Sequence, residues 1–143
     1  IDSTSSENII KGGFMNGVDQ FDPLFFNISP KEAEMMDPQE RLFLQTVYQA
    51  IEDAGYTRQT LGNSNDSNSN ENNEVGVYVG VMYEEYQLYG AQAQALSHSS
   101  VALSGNPASI ANRVSYFCNF NGPSMAIDTM CSSSLTAIHL ACQ

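Results

Sequence analysis

A chain of 143 residues is long enough for one modest domain with its own core. Its hydrophobic content of 42% fits a globular protein, and a formal charge of −11 argues against a nucleic-acid or anionic-membrane surface. The cysteines Cys118, Cys131 and Cys142 are odd in number and lack metal-site spacing, so neither a disulfide framework nor a zinc site is expected and a reducing compartment is.

Residues 1–13 are polar and end in glycines, the composition of a loop. The opening "IDSTSSEN" is no signal peptide, and no apolar run is long enough to cross a bilayer. Ile1 is not a start methionine and the last helix stops abruptly at Gln143, so both ends read as cuts. In "VDQFDPLFFNISP" the rings of Phe21, Phe25 and Phe26 should pin a surface segment to the body. Ser29-Pro30 reads as a helix start, with Ser29 as cap, Pro30 in the first turn and Glu32 closing a capping box. Asp37, Pro38 and Glu40 repeat the device. Apolar residues at 43, 47, 50, 51 and 54, widened by Leu42 and Leu44, then predict a helix buried on one face and ended by Gly55.

Residues 62–74, "GNSNDSNSNENNE", cannot bury enough apolar surface to offset ordering and read as a flexible surface loop. "VGVYVGVM" reads as a central strand with helices covering its sheet. "YEEYQLYGAQAQAL" is a loop followed by a short helix. Asn106 and Pro107 start another helix, with Ile110, Val114 and Phe117 at helical spacing, and Asn121-Gly122-Pro123 is a turn. A buried strand over Ser124–Ile127 and a helix over 132–142, striped by Leu135, Ile138, His139 and Cys142, complete an α/β layer pattern.

Cys131 falls on the turn between that strand and that helix. A helix N-terminus stabilises a thiolate, and the turn's N–H groups could face an oxyanion above the sulfur. The alternative is a small buried hydrophobe, and spacing alone leaves both open. Asp128 precedes the turn and is placed to order it. Cys118 and Cys142 read as core, His139 as a buried histidine on the apolar stripe, and His98 as an exposed loop residue. His139 stands about 12 Å along an ideal helix from Cys131, too far to act as its base. The sequence has no carboxylate pair for acid–base work, and no phosphate loop, zinc pattern or EF-hand loop.

Three stretches carry a family resemblance. They are "GGFMNGVDQFDPLFFNISPKEAEMMDPQERLFLQTVYQAIEDAGY", "VGVYVGVMYEEYQ" and "SGNPASIANRVSYFCNFNGPSMAIDTMCSSSLTAIHLACQ". Together they resemble the beta-ketoacyl synthases, and most of all the ketosynthase domains of modular type I polyketide synthases. The resemblance implies an α/β, thiolase-like fold, here partial, with residues 1–143 forming most of its first α/β half, truncated at both ends. It implies that Cys131 accepts an acyl chain from the phosphopantetheine of an acyl carrier protein. Decarboxylation of malonyl on a carrier protein then supplies the carbanion that attacks this thioester. It further implies a homodimer, a cytoplasmic megasynthase, acyl carrier protein domains as partners, and no bound metal, nucleotide or other cofactor in this domain. The histidines and lysine that assist the reaction lie in the family's second half, so residues 1–143 alone should be inactive. Many members carry alanine where this chain has Met130. Methionine there resembles synthases whose acyltransferase acts in trans, and it would reshape the acyl pocket. The alternatives are a fatty-acid-type condensing enzyme and a non-elongating thiolase-like domain.

Overall fold

The computed structural model describes residues 12–61, 74–83, 85–97 and 105–143. Their elements run α1 (Pro30–Met35), α2 (Pro38–Asp53), β1 (Val77–Gly80), α3 (Tyr86–Ser97), α4 (Pro107–Cys118), β2 (Ser124–Ile127) and α5 (Ser133–Ala141). His98, most of the segment expected to be loop over 1–13, and all of 62–74 except Glu74 lie outside the described residues.

Each of the three expected cap-and-proline starts opens a helix. Ser29 Oγ accepts from Glu32 N at 3.2 Å, Asp37 Oδ1 from Gln39 N at 2.8 Å, and Asn106 Oδ1 from Ala108 N at 3.0 Å. Proline then sits in the first turn, where its missing N–H costs nothing. Gly55 ends α2 as expected. At φ +80° it lets Tyr56 N reach Ile51 O at 3.0 Å while its own N–H reaches Glu52 O at 2.9 Å. The end of α4 is made by Asn119 at φ 57°, with Phe120 N on Ser115 O at 2.8 Å, so the reversal comes before the expected turn at 121–123. Gly122 then passes so close to Val75 that a Cβ would stand 2.6 Å from a backbone carbon.

β1 and β2 pair in parallel, from Val77 opposite Ser124 to Gly80 opposite Ile127. The ladder continues at both ends, with Val77 N donating to Pro123 O at 2.7 Å and Val81 N to Ile127 O at 3.0 Å. Among the described residues the sheet has two strands, with β1 paired to β2. Helices α4 and α5 pack on these strands, and α2 packs on α4. Val77, Val79 and Val81 face a core built with Met36, Leu44, Ile110, Ala111 and Val114. The aromatic segment is pinned as expected: Phe21 stacks on Phe26 at 5.1 Å, and Phe26 lies 5.0 Å from Phe117.

Three expectations about faces need correction. In α2 the deepest positions are Glu40 and Leu44, while Ala50 and Ala54 are exposed. The strand at Ser124–Ile127 is only partly covered, with Met125 exposed. In α5 the inward face is Ser133 and Ala137. The larger stripe points out, with Leu135 73% and Ile138 61% exposed, and His139 and Cys142 exposed beside them, so neither of those two is core here. The physical reason is proximity: small side chains let α5 lie close against β1, and bulky ones could not.

Glu40 ties the helical layer together. It is 1% exposed, and its carboxylate accepts from Arg113 Nε at 3.0 Å and from Ser109 Oγ at 3.0 Å. Arg113 Nη2 reaches Glu32 at 2.8 Å, so α1, α2 and α4 meet at one guanidinium. Both glutamates expected to close capping boxes therefore turn their carboxylates to Arg113. Burial pulls the guanidinium pKa down, but the hydrogen bond and charge of Glu40, and then Glu32, outweigh it and hold it above its ordinary value. Arg113→Ala should cost about 3 kcal/mol, because it strips a buried carboxylate of its cation. Glu32→Ala, at the exposed end of the same network, should cost less than about 1 kcal/mol. Urea unfolding of the two variants measures the difference.

Candidate active site

Residues 128–133 form the turn from β2 into α5, and short polar side chains shape it. Asp128 Oδ1 accepts from Met130 N at 2.9 Å, the ordering role expected of it. Ser133 Oγ accepts from Thr129 N at 2.9 Å and donates to Met130 O at 2.7 Å. Ser132 Oγ donates to Thr129 O at 2.8 Å, and Thr136 Oγ1 donates to Ser132 O at 3.0 Å. Thr129 and Thr136 meet through their hydroxyls at 3.1 Å.

These bonds enclose an uncommon backbone. Met130 has φ +58°. The other described non-glycine residues with positive φ are Asn27 and Asn119, and asparagine takes that region readily. Methionine does not, and the conformation costs on the order of 1–2 kcal/mol that the surroundings must offset. Its effect is to turn both Met130 and Cys131 outward. Met130 is 62% exposed, and the Cys131 thiol is free and exposed at the head of α5.

A close approach from behind sets the position of that head. Gly80, the last residue of β1, lies under the first turn of α5. A Cβ there would stand 2.6 Å from Ser134 N and 2.7 Å from Ser133 C, both backbone atoms. Only glycine allows β1 and α5 to meet at this depth.

The amides of the turn are largely committed to the turn itself. Met130 N serves Asp128, Ser133 N serves Met130 O at 3.1 Å, and Ser132 N points to Thr129 O at 3.4 Å. The expectation that several N–H groups aim above the sulfur therefore narrows to the remaining amides at the head of α5. A cleft of about 260 Å³ between Phe25, Tyr48, Arg58 and Phe117 is lined by none of the turn residues. Among the described residues no group of three or more His, Cys, Asp or Glu side chains could hold a metal ion. No described helix is long and apolar enough to cross a membrane.

The structure thus places Cys131 and Met130 side by side at a helix head, and His139 exposed further along α5. Sequence reasoning missed Ser133 and Gly80. A Ser/Thr-rich stretch after a strand is the signal for hydroxyl-to-backbone clamping, whereas nothing local marks Gly80 as a seat for a helix more than fifty residues away.

Residues 2–143 match the family described as beta-ketoacyl synthase, N-terminal domain. The chain belongs to this family and has its α/β, thiolase-like fold in part, the N-terminal half with a small two-stranded sheet. More particularly, it is part of a ketosynthase domain of a modular type I polyketide synthase. It is 70% identical to polyketide synthase PksL of Bacillus subtilis over 132 residues, which are 92% of this chain and 3% of that protein. It is 63% identical to polyketide synthase ThaG of Burkholderia thailandensis over 132 residues, 92% of this chain and 2% of that one. Among solved structures, the oxazolomycin ketosynthase domain OzmH KS7 of Streptomyces albus superposes with a TM-score of 0.79 at 53% identity, covering 92% of this chain and 21% of that one. The ketosynthase from module 6 of the bacillaene synthase of Bacillus subtilis gives 0.71 at 44% identity, over 92% and 20%. The chain therefore spans about a fifth of the solved ketosynthase chains and 2–3% of the curated synthases named above.

The cysteines differ in a way that can be measured. Burial pushes the Cys118 thiol above its ordinary pKa, and the charge of Arg58 opposes the shift only in part. A raised thiol keeps its proton to higher pH in the folded state than in the unfolded one. Its contribution to stability is present below the ordinary thiol pKa and lost as pH rises through the folded value. At pH 8 iodoacetamide should therefore label Cys131 while Cys118 stays protected until denaturant is added, and peptide mapping of the adducts checks this.

Proposed function

We propose that this chain supplies the nucleophile of a polyketide ketosynthase, with Cys131 as the acyl acceptor. The observation that carries the reading is the exposed Cys131 thiol on a clamped strand-to-helix turn, at the N-terminal end of α5. Its neighbourhood suits an acyl chain. Met130 stands beside it, and Leu135, about one helical turn on, offers a second exposed apolar side chain.

The chemistry balances as two transfers. The Cys131 thiolate attacks the thioester carbonyl of an acyl chain carried on phosphopantetheine. The new C–S bond forms as the old one breaks, and the carrier's sulfur leaves as a thiolate that takes up the proton Cys131 gave up. Malonyl on an acyl carrier protein then loses carbon dioxide. The electron pair of the broken C–C bond becomes an enolate, whose carbon attacks the acyl-Cys131 carbonyl. That C–C bond forms as the Cys131 C–S bond breaks, returning the thiolate and leaving a beta-ketoacyl chain on the carrier. Stabilising the enolate needs donors aimed at its oxygen, and His139, exposed along α5, is not placed beside Cys131 to supply one. Residues 1–143 by themselves are accordingly read as inactive in condensation.

The same reading makes acyl carrier protein domains the partners, a homodimer the working form and the cytoplasm the location. Residues 1–143 are then the N-terminal part of the domain. Met130 in place of the commoner alanine favours a synthase whose acyltransferase acts in trans.

Two outcomes are expected of the ketosynthase domain that contains this chain. Incubation with an acetyl thioester of N-acetylcysteamine should add one acetyl group at Cys131 by peptide mass spectrometry, and Cys131→Ala should abolish it. An adduct that persists in Cys131→Ala, or maps to Cys118 or Cys142, rejects the assignment. Met130→Ala should leave acetyl transfer within about threefold but change the ranking of branched over linear acyl thioesters by about tenfold, the scale set by a few methylenes in an apolar pocket. Competition between paired thioesters measures that ratio.

A further inference from the structure

We propose that Ser133 is a positioning residue for acyl transfer, holding Met130 left-handed so that the Cys131 sulfur is presented to the thioester. This rests on Cys131 being the acyl acceptor.

Three observations converge on Ser133. It is 4% exposed, although it lies next to the exposed pair Cys131 and Ser132. Its hydroxyl uses both its roles on the turn, accepting from Thr129 N on one side of Met130 and donating to Met130 O on the other. A single oxygen thus brackets the one described residue other than asparagine or glycine with positive φ. Finally, Ser133 is seated from behind: its carbonyl carbon and Ser134 N are the backbone atoms that meet Gly80. The bracket can hold Met130 because Ser133 itself cannot retreat into β1.

The geometry separates this role from that of Ser132 and Thr136. Their hydroxyls tie carbonyls of Thr129 and Ser132, just ahead of α5, as a helix-start network does. Ser133 alone among these hydroxyls bonds both flanks of Met130. Without its oxygen, Thr129 N and Met130 O lose this partner, and Met130 is free to relax toward negative φ. That relaxation swings the following residue, Cys131, relative to the helix. Attack on a thioester needs the sulfur within about an ångström of its productive place, so the loss should fall on the rate of the bound complex and not on donor affinity.

The step measured is transfer of acetyl from its N-acetylcysteamine thioester to Cys131. The Sγ–carbonyl bond forms as the donor's C–S bond breaks, and N-acetylcysteamine leaves as the thiol with the proton given up by Cys131. The ketosynthase domain containing this chain is compared as wild type, Ser133→Ala, Met130→Gly and the double variant. Glycine adopts φ near +58° without penalty, so Met130→Gly removes the need for the bracket. Ser133→Ala is expected to lower the maximal acylation rate by about tenfold to a hundredfold with KM within about twofold. In the Met130→Gly background the same change should cost less than about threefold. A Ser133→Ala rate within about twofold of wild type, a loss confined to KM, or an equal loss in both backgrounds overturns the proposal. Should Ser133→Ala alone not fold, a folded double variant matching Met130→Gly supports it, and an unfolded double variant overturns it. Acetyl found in Cys131→Ala instead defeats the underlying assignment of Cys131, a result distinct from all of these.

Discussion

The contact on which the site depends is the one between Gly80 and the backbone of Ser133 and Ser134. It sets the depth at which α5 meets the end of β1, and therefore where the turn before α5 must lie. β1 is itself held by its parallel ladder to β2, whose last residue, Ile127, leads directly into that turn. The turn is thus closed between two fixed points, the end of β2 and the seat on Gly80. A closure this short leaves little freedom, and one residue, Met130, takes a conformation it would not choose. Exposure of Cys131 follows from that closure rather than from anything specific to cysteine.

The helical layer supports the sheet from the other direction. Arg113 on α4 joins Glu40 on α2 and Glu32 on α1, while Val114, the next residue of α4, is buried in the core that includes Val77 and Val79 of β1. An ion pair at this depth is weak as a source of stability, since both charges leave water to form it. Its value lies in direction. Guanidinium and carboxylate give the contact between α4 and α2 a hydrogen-bonding direction that apolar contacts lack. Arg58 acts similarly at the far end of α4, lying 4.8 Å over the Phe117 ring while Nη1 donates to Phe117 O at 3.3 Å.

What was legible in the sequence was what depends on near neighbours. Ser29-Pro30, Asp37-Pro38 and Asn106-Pro107 start helices because cap and proline act within one turn. Cys131 was found at a strand-to-helix turn for the same reason, and Asp128 ordered it as read. What was not legible needed partners far along the chain. Glu40 reads locally as a capping residue, yet it is buried because Arg113, 73 residues away, comes to meet it. Gly80 reads as one more residue of a valine-rich strand. The face of α5 was assigned by size and hydrophobicity, but the seat on Gly80 selects small residues, so Ser133 and Ala137 turn inward and Leu135 and Ile138 outward. Hydrophobic periodicity finds the apolar stripe without saying which neighbour has room for it. The left-handed backbone of Met130 carried no signal, since methionine is not a residue from which positive φ is inferred.

The exposed side of α5 is mixed: Leu135 and Ile138 share it with Ser134 and His139, so it is neither a wholly apolar nor a wholly polar face. The polar side chains of the turn show a different economy. Asp128, Thr129, Ser132, Ser133 and Thr136 satisfy one another and their own backbone within nine residues. Apart from the seat at Gly80, the turn needs no distant partner for its shape. Apart from that seat, the cysteine's geometry is written into a short local segment, while the side chains of Met130 and Leu135 near it are exposed and make no part of the hydrogen-bonded clamp. A fold arranged in this way can change what it accommodates without disturbing how it presents its thiol.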